Sequence, residues 1–144
     1  MALDPDRFVS AQDRVWHEVI AELRAGRKAG HWMWFVFPQL GGLGRSETSR
    51  FFALGSLDEA RAYLAHPILG PRLRECARLV LDPDAGAAED VFGAIDALKL
   101  RSSMTLFSLA APDDPLFTAV LGRWFAGRQD ERTVALVGSG DEAG

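Results

Sequence analysis

Apolar residues recur at helical spacing from the start of the chain. Phe8, Val15, Trp16, Val19, Ile20 and Leu23 share one stripe, with Asp13, Arg14, Glu18 and Arg24 opposite. Asp4-Pro5-Asp6 supplies a capping acid, a first-turn proline and negative charge at the positive end of the helix dipole. Gly26 is a natural stop, so the pattern predicts a first helix over residues 5–25. The pattern then changes: Trp32 to Phe37 is an unbroken apolar run between Arg27-Lys28 and Gly41-Gly42-Leu43-Gly44. Periodicity alone does not separate a buried strand from a buried helix in so short a run. No second strand of comparable quality is present to pair with it, so the run reads as a buried helical or irregular segment ending at Pro38.

Downstream, capping residues mark a series of short helices. Ser46 opens one through Phe51, Phe52 and Leu54. Ser56-Leu57-Asp58-Glu59 matches a capping box ahead of Ala60, Tyr63 and Leu64, and His66-Pro67 breaks that helix. Pro71 suits the first turn of a helix carrying Leu73, Cys76, Ala77, Val80 and Leu81. Asp82-Pro83-Asp84-Ala85-Gly86 reads as a turn. A short piece, Glu89 to Phe92, closes at Gly93, and a buried helix follows over 94–110. Pro112-Asp113-Asp114-Pro115 resets the chain before an amphipathic helix through Phe117, Val120, Leu121, Trp124 and Phe125. Asp130 caps a last helix through Val134, Leu136 and Val137, which Gly138 is expected to stop. The sum is a mostly α, compact single-domain multi-helix orthogonal bundle with no substantial sheet. It is globular over 1–138, with a flexible tail at 139–144 and a core around Trp16, Trp32, Trp34, Phe35, Phe37, Phe107 and Trp124.

Composition narrows the setting. The 144 residues are 48% hydrophobic and carry a net charge of −4, so one domain with a full core is expected. Basic residues form no long stripe, so duplex nucleic acid is not an expected partner. No run approaches the ~20 apolar residues a membrane span needs. The single Cys76 permits no internal disulfide, and the N-terminus lacks the order of a signal peptide; both fit a cytoplasmic protein. The oligomeric state is not legible.

Motifs with strong chemistry are absent. There is no phosphate-binding Gly-Lys-Ser/Thr loop and no His-Glu-x-x-His, and His17, His31 and His66 are scattered, so no metal and no cofactor is expected. Cys76 lies among apolar helix positions, as a small core residue does. Two polar clusters are more suggestive. In Asp96, Lys99, Arg101, Ser102, Ser103 and Thr105, the i, i+3, i+4 spacing of Lys99, Ser102 and Ser103 places a cation beside hydroxyl donors. Arg128 precedes the helix start at Asp130-Glu131. The plainer reading is an exposed Asp96–Lys99 pair, serines packed on a neighbouring helix, and a solvated charged face near the C-terminus. The expected ligand-binding set is Lys28, His31, Trp32, Trp34, Gln39, Lys99, Ser102, Ser103 and Arg128, with the 31–39, 99–107 and 128–133 segments meeting at one cleft.

As a set, His31-Trp32-Met33-Trp34-Phe35-Val36-Phe37-Pro38-Gln39, Gly42-Leu43-Gly44, Tyr63-Leu64-Ala65-His66-Pro67-Ile68-Leu69-Gly70, Lys99 to Phe107 and Asp130-Glu131-Arg132-Thr133 resemble a bacterial family of unknown function, DUF1810. That resemblance implies a compact helical domain and no established activity. A weaker similarity is to NADAR-type domains, helical proteins linked to ADP-ribose and NAD-derived substrates, some of them N-glycosidases. This chain lacks the early Glu-His pair and the Trp-Gly ending expected there. A glycosidase needs a carboxylate to activate water or stabilise the sugar cation, and the available candidates are Asp96, Asp130 and Glu131. Two functions are therefore carried forward. One is binding, and by extension hydrolysis, of a small anionic ligand such as a nucleotide or ADP-ribose derivative. The other is a non-enzymatic interaction module with an aromatic contact face.

Overall fold

Helix α1 (Asp6–Ala25) ends where Gly26, at φ 70°, donates its N–H back to the Glu22 and Leu23 carbonyls. The computed structural model describes residues 3–81 and 88–143, and in them seven more helices follow: α2 (Met33–Val36), α3 (Glu47–Phe51), α4 (Leu57–Ala65), α5 (Leu69–Val80), α6 (Ala88–Ala110), α7 (Pro115–Phe125) and α8 (Glu131–Ala143). The only strand-like pairing among the described residues is an isolated bridge, Leu40 to Leu54. The turn expected at Asp82–Gly86 lies outside the described residues.

Local chemistry sets most of the boundaries. Ser46 Oγ accepts from Ser49 N at 3.1 Å, and Asp114 Oδ1 from Leu116 N at 3.0 Å. Ser56 Oγ accepts from Glu59 N at 3.1 Å, while Glu59 reaches back to the Gly55 N–H at 2.8 Å. His66 Nδ1 accepts the Ile68 and Leu69 N–H groups at 3.2 and 3.3 Å, so this histidine caps α5. Gly93, at φ 80° and ψ 162°, breaks α6 into the short piece and the long helix that the sequence predicts. One boundary differs. Gly138 does not stop α8, whose backbone stays helical to Ala143. A lone glycine costs a helix only ~1 kcal/mol relative to alanine and ends one only where the chain also turns away.

Helix α6 runs through the middle of the fold, against α7, α4, α8 and α2. Its Phe107 is fully buried, 5.5 Å from the Tyr63 ring and 5.7 Å from that of Phe117. Trp32, Phe37, Phe8 and Leu73 complete the same core, Trp16, Phe35 and Trp124 pack against it half-buried, and Trp34, expected in or near the core, is half-buried outside that cluster. One buried polar side chain joins four helices. Gln12 of α1 donates to the Phe35 carbonyl at 2.7 Å and meets the Tyr63 hydroxyl at 3.0 Å, while its oxygen accepts from Arg72 at 3.3 Å. Burial pushes the Tyr63 phenol well above its ordinary range, so it stays protonated within this network.

Candidate functional site

The turn after α1 is built on Glu22. Its Oε1 accepts the Gly30 N–H at 2.8 Å, the Trp32 indole N–H at 3.0 Å and the Ala29 N–H. With Lys28 N donating to the Val91 carbonyl at 2.8 Å, this geometry turns the Lys28 side chain inward. That side chain is only 6% exposed, and its Nζ lies 2.7 Å from Asp96 Oδ2 and 5.1 Å from the centre of the Trp32 ring. The other Asp96 oxygen is 3.1 Å from Lys99 Nζ, which sits 4.3 Å from the centre of the Trp34 ring. One carboxylate therefore joins two lysines, and each lysine lies over a tryptophan. The Asp96–Lys99 pair foreseen as a surface feature is real but partly buried, and Lys28 is its third member.

Burial raises the Asp96 carboxyl, but hydrogen bonds from Lys28 and Lys99 outweigh it and hold the group below the usual aspartate value. At Glu22, too, burial raises the carboxyl, and the Gly30, Ala29 and Trp32 donors bring it below the usual glutamate value. A lowered native pKa contributes stability that is complete above the unfolded value, near 4, and is lost as pH falls through the native value. Acid titration followed by circular dichroism should thus show stability declining from about pH 5 downward, with a shallower decline in Asp96→Asn. A decline of equal slope in that variant would refute Asp96 as a source of the acid sensitivity.

Beyond Trp34 the chain folds over α3. Leu54 N donates to the Gln39 carbonyl at 2.9 Å and Gly41 N to the Leu54 carbonyl at 2.8 Å, which clamps the glycine loop to the segment after α3. Between them lies a cavity of about 210 Å³, lined by Trp34, Gln39, the 40–44 loop, Ser49, Arg50, Phe52 and Ala53. Gly44 is required by close approach: a Cβ there would lie 2.6 Å from Ser49 Cβ and 3.2 Å from Trp34 Cη2. Arg132 of α8 donates to the Gly42 carbonyl at 3.2 Å. Gln39 is 7% exposed, and its amide nitrogen has no hydrogen-bond partner among the described residues. An unsatisfied buried amide costs roughly 1–3 kcal/mol.

The sequence-derived site residues divide between different places. Lys28, Trp32, Asp96, Lys99 and Trp34 form the charged cluster, and Trp34 and Gln39 line the cavity. His31 is exposed at the turn. Ser102 and Ser103 are buried within α6; Ser102 Oγ donates to the Leu98 carbonyl at 3.1 Å, and neither serine lines the cavity. Arg128 lines a separate open groove with Arg101, Gln129, Glu131 and Val134. There Arg101 donates to the Arg128 and Gln129 carbonyls at 2.9 and 2.7 Å. Segment 128–133 does pack on α6, through Asp130 N to Thr105 Oγ1 at 2.9 Å. The expectation of one shared cleft is therefore corrected: the segments meet, but they open onto two separate depressions, because most of their polar groups are matched within the fold.

The three candidate carboxylates are likewise placed elsewhere. Asp96 is held by two lysines, Asp130 caps Thr133, and Glu131 lies in the Arg128 groove. The sequence-derived set lacks Ser49, Arg50, Phe52 and the glycines of the 41–44 loop, all of which line the cavity. The density of those glycines directly after the aromatic run was the available signal. The aromatic run itself is buried or half-buried and does not present a flat contact face.

The fold and cavity define an all-helical protein with a small aromatic-lined pocket beside a lysine–tryptophan cluster. The family model described as "Protein of unknown function (DUF1810)" matches residues 2–137, and the chain belongs to that family. The crystal structure of the conserved hypothetical protein Rv1873 from Mycobacterium tuberculosis is similar, at 52% identity and a TM-score of 0.91, covering 94% of this chain and 99% of that one. No curated protein matches the sequence.

Proposed function

We propose that this chain is a cytoplasmic domain that binds a small anionic ligand, of the nucleotide or ADP-ribose kind, in the cavity between Trp34 and the glycine loop. The observation that carries this reading is Gln39: a nearly buried side chain that lines the cavity and leaves its amide donor unpaired. Folded proteins satisfy the large majority of buried polar groups, and an exception in a residue that lines a cavity fits a partner that arrives with the ligand. Arg50 in the lining and Arg132, bonded to the carbonyl of the lining residue Gly42, favour an anion. No carboxylate is among the described lining residues, which supports binding over hydrolysis.

Gln39→Met tests it. Removing an unpaired buried amide while keeping the volume should raise the melting temperature, by about 1 kcal/mol of stability. A panel of nucleotides, sugar phosphates and aromatic carboxylates should include a compound that raises the melting temperature of the wild type but not of Gln39→Met. If no anion in the panel shifts the wild type, the binding reading fails.

A further inference from the structure

We infer that the cavity takes a neutral planar heterocycle ring-first, with a hydrogen-bond acceptor on the ring edge and its anionic group left outside beside Arg50, the chemistry of a mononucleotide with an uncharged base. This deepens the binding reading above and rests on it. The cavity, about 210 Å³, is smaller than the ~300–1,000 Å³ that encloses a drug-sized ligand. It therefore admits one ring system and not a whole nucleotide. Its aromatic lining, Trp34 and Phe52, suits a flat ring. One residue of the lining, Gln39, holds an unpaired amide N–H, and a donor calls for an acceptor on the ring edge. A Cβ at Gly41 would meet Ala53, and one at Gly44 would meet Ser49 and Trp34, all in the lining, so these glycines leave the space open.

The charge of the ring follows from Lys99. Trp34, which lines the cavity, already carries the Lys99 ammonium 4.3 Å from its ring centre. That cation draws on the electron density by which an indole attracts positive charge. A pyridinium or quaternary ammonium is thus a poor occupant, whereas a neutral base bearing carbonyl or ring-nitrogen acceptors suits both Trp34 and Gln39. The remainder of such a ligand is too large for the cavity, and Arg50 is the cation among the described lining residues that can meet its anionic group.

Oxidised and reduced nicotinamide mononucleotide isolate this prediction, because they share the carboxamide, ribose and phosphate and differ in ring charge. Isothermal titration of the full chain with both, and with uridine, uridine 5′-monophosphate and inorganic phosphate, is the experiment. The reduced mononucleotide and uridine monophosphate should bind about tenfold tighter than the oxidised form, and the gap should shrink in Lys99→Met. Uridine should bind more weakly than its monophosphate, and phosphate alone should not bind. Equal or tighter binding of the oxidised form overturns the inference. So does a lack of binding by every neutral-ring compound; if other anions of the panel still stabilise the wild type, the pocket reading stands without it. The wild-type comparison needs no variant, so a poorly folding Lys99→Met leaves the test intact.

Discussion

Asp96→Ala is expected to destabilise the protein by about 3 kcal/mol, lowering the melting temperature by on the order of 10 °C. The reason is what the substitution leaves behind. Lys28 is almost entirely buried, and Asp96 is its only ion-pair partner among the described residues. Its other neighbours are the Gly30 carbonyl and the Trp32 ring, and the more distant Glu22 carboxylate, which also feels the lysine, is already engaged by the Gly30, Ala29 and Trp32 N–H groups. Removing one member of a buried pair strands the other charge, which is why such deletions cost ~3–5 kcal/mol although the intact pair contributes little. Lys99 is more exposed and keeps Trp34, so the lower end of the range applies. Adding Lys28→Met should recover much of the loss, because an apolar chain of similar length needs no counter-charge. Thermal unfolding of the two single variants and the double variant measures this coupling. Additive losses would show that Lys28 and Asp96 do not depend on each other.

Gly70→Ala should be at least as damaging, ~3 kcal/mol or more. Gly70 lies in the first turn of α5, where alanine would ordinarily gain up to ~1 kcal/mol in helix propensity. Here a Cβ would meet the Leu64 carbonyl oxygen at 2.1 Å and the Leu64 carbonyl carbon at 3.0 Å. Both are backbone atoms of α4, so no rotamer change relieves the overlap, and the α4–α5 elbow would have to open. That elbow also positions Arg74, which reaches the Leu64 carbonyl at 3.4 Å and Asp114 at 3.2 Å. Gly122→Ala in α7 is the matched control, since nothing lies within 4 Å of the position its Cβ would take. Gly122→Ala should be neutral or stabilising while Gly70→Ala lowers the melting temperature sharply; similar effects would refute the steric argument.

The cavity shows where reading the chain alone reaches its limit. Trp34 and Gln39 stand out in sequence because polar and aromatic residues meet at the ends of one apolar run. Arg50 lies in a short helix and Phe52 just past its end, and the Leu40–Leu54 bridge holds that segment against the glycine loop. A two-residue pairing of this kind leaves no alternation to read, because a strand announces itself only over several residues. Lys28, Lys99 and Arg128 look equivalent as cations in sequence. In the fold Lys28 and Lys99 share Asp96, and Arg128 lies in another groove altogether.

By itself the sequence determined the helical class, the Ser46 and Ser56 caps, the break at Gly93 and the burial of Trp32, Phe37 and Phe107. Each follows from forces acting within one or two turns of chain: helical spacing of apolar groups, a side-chain oxygen answering a nearby N–H, or a glycine accepting positive φ. Only the tertiary structure decided which lysines share Asp96, why Gln39 is left with an unpaired amide, and that the aromatic run opens onto a cavity bounded by α3. Those outcomes depend on contacts between groups far apart along the chain, and whether a charge or amide is matched is settled only once every other side chain around it has been placed.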